Sequence, residues 1–113
     1  MRLMSRGSLM KSISIPPAAL EDDAAVEMAR IWVAKRGLHC VLNVGTYRDS
    51  GIREATAWGV ILADMARHLS HALRDNGLEA DSGRALAEIQ EAMTRELDHP
   101  TSTATGEFGS TTQ

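Results

Sequence analysis

The sequence has few of the residues on which several classes of protein depend. Its 113 residues include a single cysteine and only 4% aromatic residues. One cysteine, Cys40, excludes a disulfide framework and any Cys-x-x-Cys redox or zinc motif. The sequence also lacks a glycine-rich phosphate loop, an internal repeat and an apolar run long enough to cross a membrane. These absences leave one small globular domain, for which we predict no cofactor.

The net charge is also low, and the charged residues are spread evenly along the sequence. Twelve basic residues stand against fifteen acidic ones, which gives a formal net charge of −3, and no block of like charge occurs. A protein that binds nucleic acid or an anionic membrane normally concentrates basic residues in a patch. We therefore predict neither a nucleic-acid nor a membrane partner. The fractions of hydrophobic and charged residues, 43% and 24%, are typical of a folded globular protein.

The two ends of the chain differ from its middle. No acidic residue precedes Glu21, and charged, glycine or serine residues interrupt the apolar runs near the start. Because a secretory signal needs an apolar stretch of roughly 7–15 residues, we predict no export and a cytoplasmic location. Residues 1–23 are expected to be flexible, with Met10 as an alternative start. Residues 100–113, rich in threonine, serine and glycine, are expected to form a flexible tail, so that the folded domain spans 24–99.

A β-hairpin is predicted near the start of this domain. Residues 26–34 and 38–44 are rich in large apolar side chains, and Lys35-Arg36-Gly37 separates them. A three-residue loop that ends in glycine fits a type I turn with the glycine in the left-handed region. This register places Ala34 opposite Leu38 and leaves both faces largely apolar, so each face needs cover. The candidate interface residues on one face are Ile31, Val33 and Val41.

A long amphipathic helix follows the hairpin. Apolar residues recur at the i, i+3, i+4, i+7 spacing from Trp58 to Leu73 and predict a stripe that faces a core. Asp49 or Ser50 is expected to cap the start of the helix, and Gly77 to terminate it. Gly59, Ala63, Ala66 and Ser70 line one flank, and their small side chains would let a second helix, from this chain or a symmetry mate, approach closely. Of these, the further interface candidates are Gly59, Ala63 and Ala66.

The opposite flank of the helix carries the one group of residues that could bind a metal ion or transfer a proton. Asp64, His68, His71 and Asp75 lie within roughly 60° of one another on a helix. Imidazoles and carboxylates could bind zinc or another divalent ion, and the metal ligands of that hypothesis are Asp64, His68 and His71. Asp64 could instead orient His68 as a general base. A solvated helix edge has the same spacing and is far more common.

A second helix is predicted from about residue 82 to residue 99, with Asp81 or Ser82 at its start. The order strand, strand, helix, helix defines an α+β domain of ββαα type. A two-stranded hairpin is marginally stable on its own, and a domain of this size buries only about 60% of the surface of its unfolded chain. We therefore expect a second subunit to complete or cover the sheet in a homodimer.

Two segments of the chain resemble a known family. One is Ile15–Asp23, which leads into the hairpin with its Arg30-Ile31-Trp32, and the other is the helical run Ala57–His68. Over residues 13 to about 75 the sequence resembles a family of small alphaproteobacterial proteins known only as a domain of unknown function. The resemblance implies a short cytoplasmic bacterial protein that begins close before Pro16-Pro17. It implies no activity, ligand or catalytic residue.

The sequence leaves three functions open. The leading hypothesis is a non-enzymatic module that self-associates or binds another protein. The alternative is a metal-binding protein or small enzyme that uses the helix edge of Asp64, His68 and His71. A third hypothesis is phosphate contact by the basic residues near the hairpin tip, Lys35, Arg36, Arg48 and Arg53. The negative net charge argues against the third, and whether the chain is an enzyme stays undecided, with a non-enzymatic role favoured.

Overall fold

A hairpin followed by two long helices makes up most of the chain. The computed structural model describes residues 11–101 and the backbone of residues 105–110. Its elements, in chain order, are α1 (Pro17–Leu20), β1 (Ala29–Ala34), β2 (Gly37–Val44), α2 (Glu54–Asp75), α3 (Ser82–Asp98) and β3 (Thr105–Ser110). This arrangement confirms the predicted α+β fold. The strands form an open sheet in the order β1-β2-β3.

The hairpin turns through two residues, not three. Lys35 and Arg36 both have positive φ, at 50° and 63°, as in a type I′ turn, and Gly37 is already in β2, opposite Ala34. The predicted pairing of Ala34 with Leu38 is therefore wrong by one residue. The left-handed conformation costs about 1–2 kcal/mol for each non-glycine residue. A two-residue turn of this type nevertheless matches the twist of the strands that it joins.

The changed register redistributes the side chains of the hairpin, because a one-residue slip moves all side chains of one strand to the other face. Ile31 lies opposite Cys40, and Val33 lies opposite Leu38, so these four residues share one face. Val41 lies opposite Arg30 and belongs to the other face. The predicted grouping of Val41 with Ile31 and Val33 is therefore wrong.

Helix α2 begins later than predicted and ends where predicted. Neither Asp49 nor Ser50 caps it, since the N-cap position belongs to Arg53, which makes no capping hydrogen bond through its side chain. At the other end Gly77 has a φ of 75°, and the N–H of the next residue, Leu78, donates to the carbonyl of Leu73 at 2.9 Å. This geometry confirms Gly77 as the terminator of the helix.

Helices α2 and α3 pack against each other. The Asp81 carboxylate accepts a hydrogen bond from the N–H of Gly83 at 2.9 Å, so the predicted cap of the second helix is confirmed. Within residues 11–101 the buried side chains are Ala57, Ser70 and Ala85, which are 8%, 2% and 3% exposed. The large apolar side chains of this region are therefore at least partly open to solvent. No helix in residues 11–101 is long and apolar enough to cross a lipid bilayer.

Short elements occur in both segments that were expected to be flexible. Helix α1 lies within the segment 1–23, and Pro17 occupies its first turn, where a missing N–H has no consequence. Residues 105–110 form β3, parallel to β2, in the part of the chain expected to be a flexible tail. A strand at the edge of a sheet is held by peptide hydrogen bonds, so a polar composition does not reveal it. Met10 lies outside the described residues.

Candidate functional site

The apolar stripe of α2 is open to solvent along its middle. Leu62, Met65 and Leu69 are 47%, 47% and 48% exposed, and at 100° per residue they lie within roughly 60° of one another. We call these three residues the α2 stripe. The buried positions of the helix, Ala57 and Ser70, lie on other sides of it. The packing of α2 with α3 therefore leaves the α2 stripe without a partner in the part of the chain that the structure describes.

One face of the hairpin is open as well. Ile31, Val33 and Leu38 share this face and are 50%, 81% and 41% exposed. We call them the hairpin face. The strands pack mainly against one another and α2 packs mainly against α3, with few contacts between sheet and helices. Neither the hairpin face nor the α2 stripe covers the other among the described residues.

A single carboxylate links the hairpin to the helices. Glu54 stands in the first turn of α2, and its Oε2 accepts a hydrogen bond from the N–H of Gly45 at 2.9 Å. Its Oε1 accepts one from the N–H of Tyr47 at 3.1 Å. The indole N–H of Trp58, one turn further along α2, donates to Oε2 at 3.2 Å. Glu54 thus holds the loop that leaves β2 against the start of the helix.

These bonds favour the ionised form of Glu54. Hydrogen bonding from the Gly45 N–H lowers the pKa of the carboxyl below its ordinary value. The partial burial of Glu54 opposes this shift, whereas the N–H of Tyr47, the indole of Trp58 and the nearby charge of Arg48 add to it. An ionised carboxylate also suits the positive end of the helix dipole. The resulting site is a structural tie, in which the donors around the carboxylate come from the chain itself.

The predicted metal ligands lie exposed along α2. Asp64, His68 and His71 are all open to solvent, and the Asp64 carboxylate is 3.5 Å from the guanidinium of Arg67. Within residues 11–101 no three side chains of His, Cys, Asp or Glu gather in a way that could hold a metal ion. The metal hypothesis therefore gains no support beyond its helical spacing, and it stays a prediction.

The flank of small residues is open towards the start of α2 and closed at Ser70, which is 2% exposed. Gly59 and Ala63 are exposed, and Ala66 is half-buried. A Cβ added at Gly59 would meet no other atom within 4 Å. The described part of the chain therefore has no helix backbone that approaches Gly59 closely, and the interface predicted at this flank would need a second subunit.

The basic residues of the phosphate hypothesis belong to two loops. Lys35 and Arg36 form the hairpin turn, and Arg48 and Arg53 lie between β2 and α2. All four side chains are exposed. Exposed basic residues at a hairpin tip also keep a sheet soluble, so their position does not favour phosphate binding.

The comparison with known families assigns the chain. A family described as a domain of unknown function, DUF5076, matches residues 12–101. The chain belongs to the DUF5076 family. The predicted membership in a domain of unknown function is confirmed, whereas an alphaproteobacterial origin stays a prediction. The DUF5076 match also runs through α3, beyond the resemblance over residues 13 to about 75.

A solved structure shares the fold of this DUF5076 chain. It is that of a protein from the photosynthetic bacterium Rhodopseudomonas palustrus CGA009, provisionally named a pyruvate dehydrogenase. The two sequences are 28% identical, the structures align with a TM-score of 0.65, and the match covers 87% of this chain and 94% of the other. No curated protein matches the DUF5076 chain.

The sequence did not reveal Glu54, the residue whose hydrogen bonds join the sheet of the DUF5076 domain to its helices. With the cap expected at Asp49 or Ser50, no pattern in the sequence singled out Glu54. The available signal was a glutamate four residues before Trp58, a spacing that places both side chains on one side of a helix. The backbone donors of Gly45 and Tyr47 leave no mark in the sequence.

Proposed function

We propose that this DUF5076 protein is a non-enzymatic, homodimeric module that self-associates through the apolar surface left open at the α2 stripe and the hairpin face. The observation that supports this proposal is that both apolar surfaces are open and that none of the described residues covers either of them. The cytoplasmic location expected from the sequence is part of the same proposal.

The open surface has an energetic consequence. Full burial of a large aliphatic side chain contributes about 1.5–3 kcal/mol. Leu62, Met65 and Leu69 are each about half exposed, so the α2 stripe alone leaves roughly 2–4 kcal/mol of stabilisation unrealised per subunit. A domain whose buried side chains are Ala57, Ser70 and Ala85 within residues 11–101 has little other apolar burial to rely on. Association is therefore the favoured way to complete its core.

A second copy fits this requirement better than an unrelated protein. Each copy carries one α2 stripe and one hairpin face, so two copies bring these surfaces together in equal number. A two-fold axis lets both subunits bury the same residues and closes the assembly at two copies. A different partner would need to supply two separate apolar surfaces of matching shape.

The name of the Rhodopseudomonas protein does not decide the function of this chain. That protein is provisionally called a pyruvate dehydrogenase, and no arrangement of the described residues in this chain favours that reaction.

The proposal is tested by the mass of the full chain in solution. Light scattering at micromolar concentration is expected to give twice the 12.2 kDa of one chain. The variant Met65→Glu places a charge in the middle of the α2 stripe and is expected to shift the protein to monomer, because a carboxylate is costly to bury without a partner.

Thr56→Glu is the matched control. Thr56 is exposed on α2 and lies on the far side of the helix from Met65 at 100° per residue. This variant is expected to remain dimeric. A monomeric wild-type protein at this concentration, or equal masses for the two variants, would contradict the proposal.

A further inference from the structure

The outer edge of β1 presents a set of backbone groups that no described residue pairs with. β1 stands at one edge of the sheet, and the N–H of Asn43 donates to the carbonyl of Met28 at 2.9 Å, just before β1 begins. Hydrogen-bonded pairs alternate along an antiparallel ladder. The groups of Arg30 and Trp32 therefore point to β2, and those of Ala29, Ile31 and Val33 point away from it.

No strand among the described residues pairs with this edge. No backbone hydrogen bond from residues 11–101 reaches Ala29, Ile31 or Val33 from the open side. An open groove of about 760 Å³ is lined by all six residues of β1 and by four residues between Lys11 and Ile15. Successive residues of a strand point to opposite faces of a sheet. A groove that contacts all six residues of β1 must therefore run along the edge of the strand, where both faces can be reached.

The edge also lacks the features that normally prevent a strand from pairing. β1 contains no proline and no lysine, the residues that most often protect an edge. Its one charged residue, Arg30, is 3.0 Å from the carboxylate of Glu27. The outward residues Ile31 and Val33 are 50% and 81% exposed. A strand with this composition is suited to pair with another strand.

We propose that β1 pairs in antiparallel fashion with β1 of a second copy, with Ile31 on the two-fold axis. Only groups that point outward can form the new ladder, so Ala29, Ile31 and Val33 must face one another across it. Centring on Ile31 places Ala29 opposite the partner's Val33 and engages all three residues in each copy. A register centred on Ala29 or Val33 would leave part of the outward set unpaired.

The side chains of β1 are self-complementary in this register. Arg30 comes directly opposite the partner's Trp32, and Trp32 opposite the partner's Arg30. A guanidinium beside an indole ring is a favourable cross-strand pair, and no two like charges face each other. The same register places the two Ile31 side chains beside each other on the apolar face. The cation–π pairs and the absence of facing like charges thus favour a second copy over an unrelated peptide.

The segment that precedes α1 is the competing occupant. Residues 11–15 run beside β1, but Ile13 is 95% exposed, and the segment makes no backbone hydrogen bond to the strand. The pairing of two β1 strands forms a six-stranded sheet and sets the two hairpin faces side by side. The inference rests on the proposed function and adds the strand at which the subunits join.

The experiment is a disulfide cross-link at the two-fold axis. Cys40 lies opposite Ile31 within one chain, so the full-length protein is first changed by Cys40→Ala. Ile31→Cys in this background is expected to form a disulfide-linked dimer in most of the protein under mild oxidation. Across the axis the two Cα atoms would be about 5.5 Å apart, which suits a disulfide.

Val33→Cys in the same background is the matched control. Val33 would face the partner's Ala29, so the two substituted positions would lie roughly 14 Å apart and no cross-link is expected. A second variant, Ile31→Pro, removes only an N–H that points away from β2, which an edge strand tolerates. It is expected to give a folded monomer by circular dichroism and light scattering, whereas Ile31→Val stays dimeric.

The outcomes separate this inference from the proposed function. If the wild-type protein is dimeric but Ile31→Cys does not cross-link, or cross-links no better than Val33→Cys, the subunits join elsewhere and the inference is wrong. A dimeric Ile31→Pro variant would lead to the same conclusion. If the wild-type protein is monomeric, both the inference and the proposed function fail.

Discussion

The helical pair and the sheet of this protein are held in different ways. α2 and α3 pack directly on each other, and the buried residues Ser70 and Ala85 belong to these two helices. The sheet is a layer of its own, and the clearest bonds that tie it to the helices converge on the carboxylate of Glu54. The helical region is thus held by packed helices, whereas the described hydrogen bonds that join the sheet to it converge on Glu54.

This difference shows where the fold is least supported. Packing energy is shared among many atoms, whereas a tie made by one carboxylate is lost with one substitution. The open α2 stripe and hairpin face lie in the two regions that Glu54 connects. Variants that act on the tie, on the hairpin or on the helices alone should therefore have separable effects.

The largest effect on a single subunit is expected at the tie. Glu54→Ala leaves the N–H groups of Gly45 and Tyr47 and the indole of Trp58 without their acceptor, and unsatisfied donors are costly. We expect a clear fall in the melting temperature and a change in tryptophan fluorescence. Glu88→Ala, which removes an exposed glutamate from α3, is the control and should change neither. Equal melting temperatures for the two variants would contradict the role of Glu54.

The same site predicts a dependence on pH. The pKa of Glu54 is lowered in the folded protein, so its contribution to stability is present above the ordinary glutamate value of about 4.3. This contribution is lost as the pH falls through the folded-state pKa. The difference in melting temperature between the wild type and Glu54→Gln should therefore be largest near neutral pH and shrink below about pH 4. A difference that stays constant down to pH 3 would exclude this linkage.

An intermediate effect of opposite sign is expected at the hairpin turn. Lys35 and Arg36 both adopt positive φ, which is unfavourable for their side chains by about 1–2 kcal/mol each. The double change Lys35→Asn and Arg36→Gly introduces the residues that a type I′ turn prefers. It should stabilise the protein against urea by about 1–2 kcal/mol at constant protein concentration. A destabilised variant would support the three-residue loop that the sequence first suggested.

The smallest effects are expected within the helical region, and their signs should differ. Gly77→Ala forces an alanine into a φ of 75° and should destabilise the protein by about 1 kcal/mol. Gly59→Ala adds a methyl group where no atom beyond its chain neighbours and the adjoining helix backbone lies within 4 Å and should stabilise α2 by about 1 kcal/mol. Urea unfolding at one protein concentration measures both. A destabilising Gly59→Ala would indicate that a second subunit packs on this flank.

The sequence predicted the helices better than the sheet. The apolar repeat from Trp58, the terminator Gly77 and the cap Asp81 are local features, and each acts within a few residues of itself. The hairpin was also predicted, but its register depended on whether Gly37 or the pair Lys35-Arg36 adopted positive φ. That choice reflects the twist of the paired strands, which a residue-by-residue preference for glycine does not capture.

The candidate site was predictable only in part. Ile31 and Val33 were correctly assigned to one face, and the amphipathic helix already placed Leu62, Met65 and Leu69 on one stripe. Val41 was assigned to the wrong face of the hairpin because the predicted register was wrong by one residue. The acceptor role of Glu54 depends on backbone N–H groups seven and nine residues away, and a sequence pattern contains no information on where such groups point.

The sequence by itself determined an α+β domain with two amphipathic helices, because helical periodicity and capping are short-range properties of the chain. It also determined that this domain carries more apolar surface than one hairpin and two helices readily cover. Only the tertiary structure decided which surfaces stay open, which edge of the sheet is free and which carboxylate joins the two regions. These properties depend on the orientation of groups that are distant in the chain, and that orientation is set by packing and hydrogen bonding after the local elements have formed.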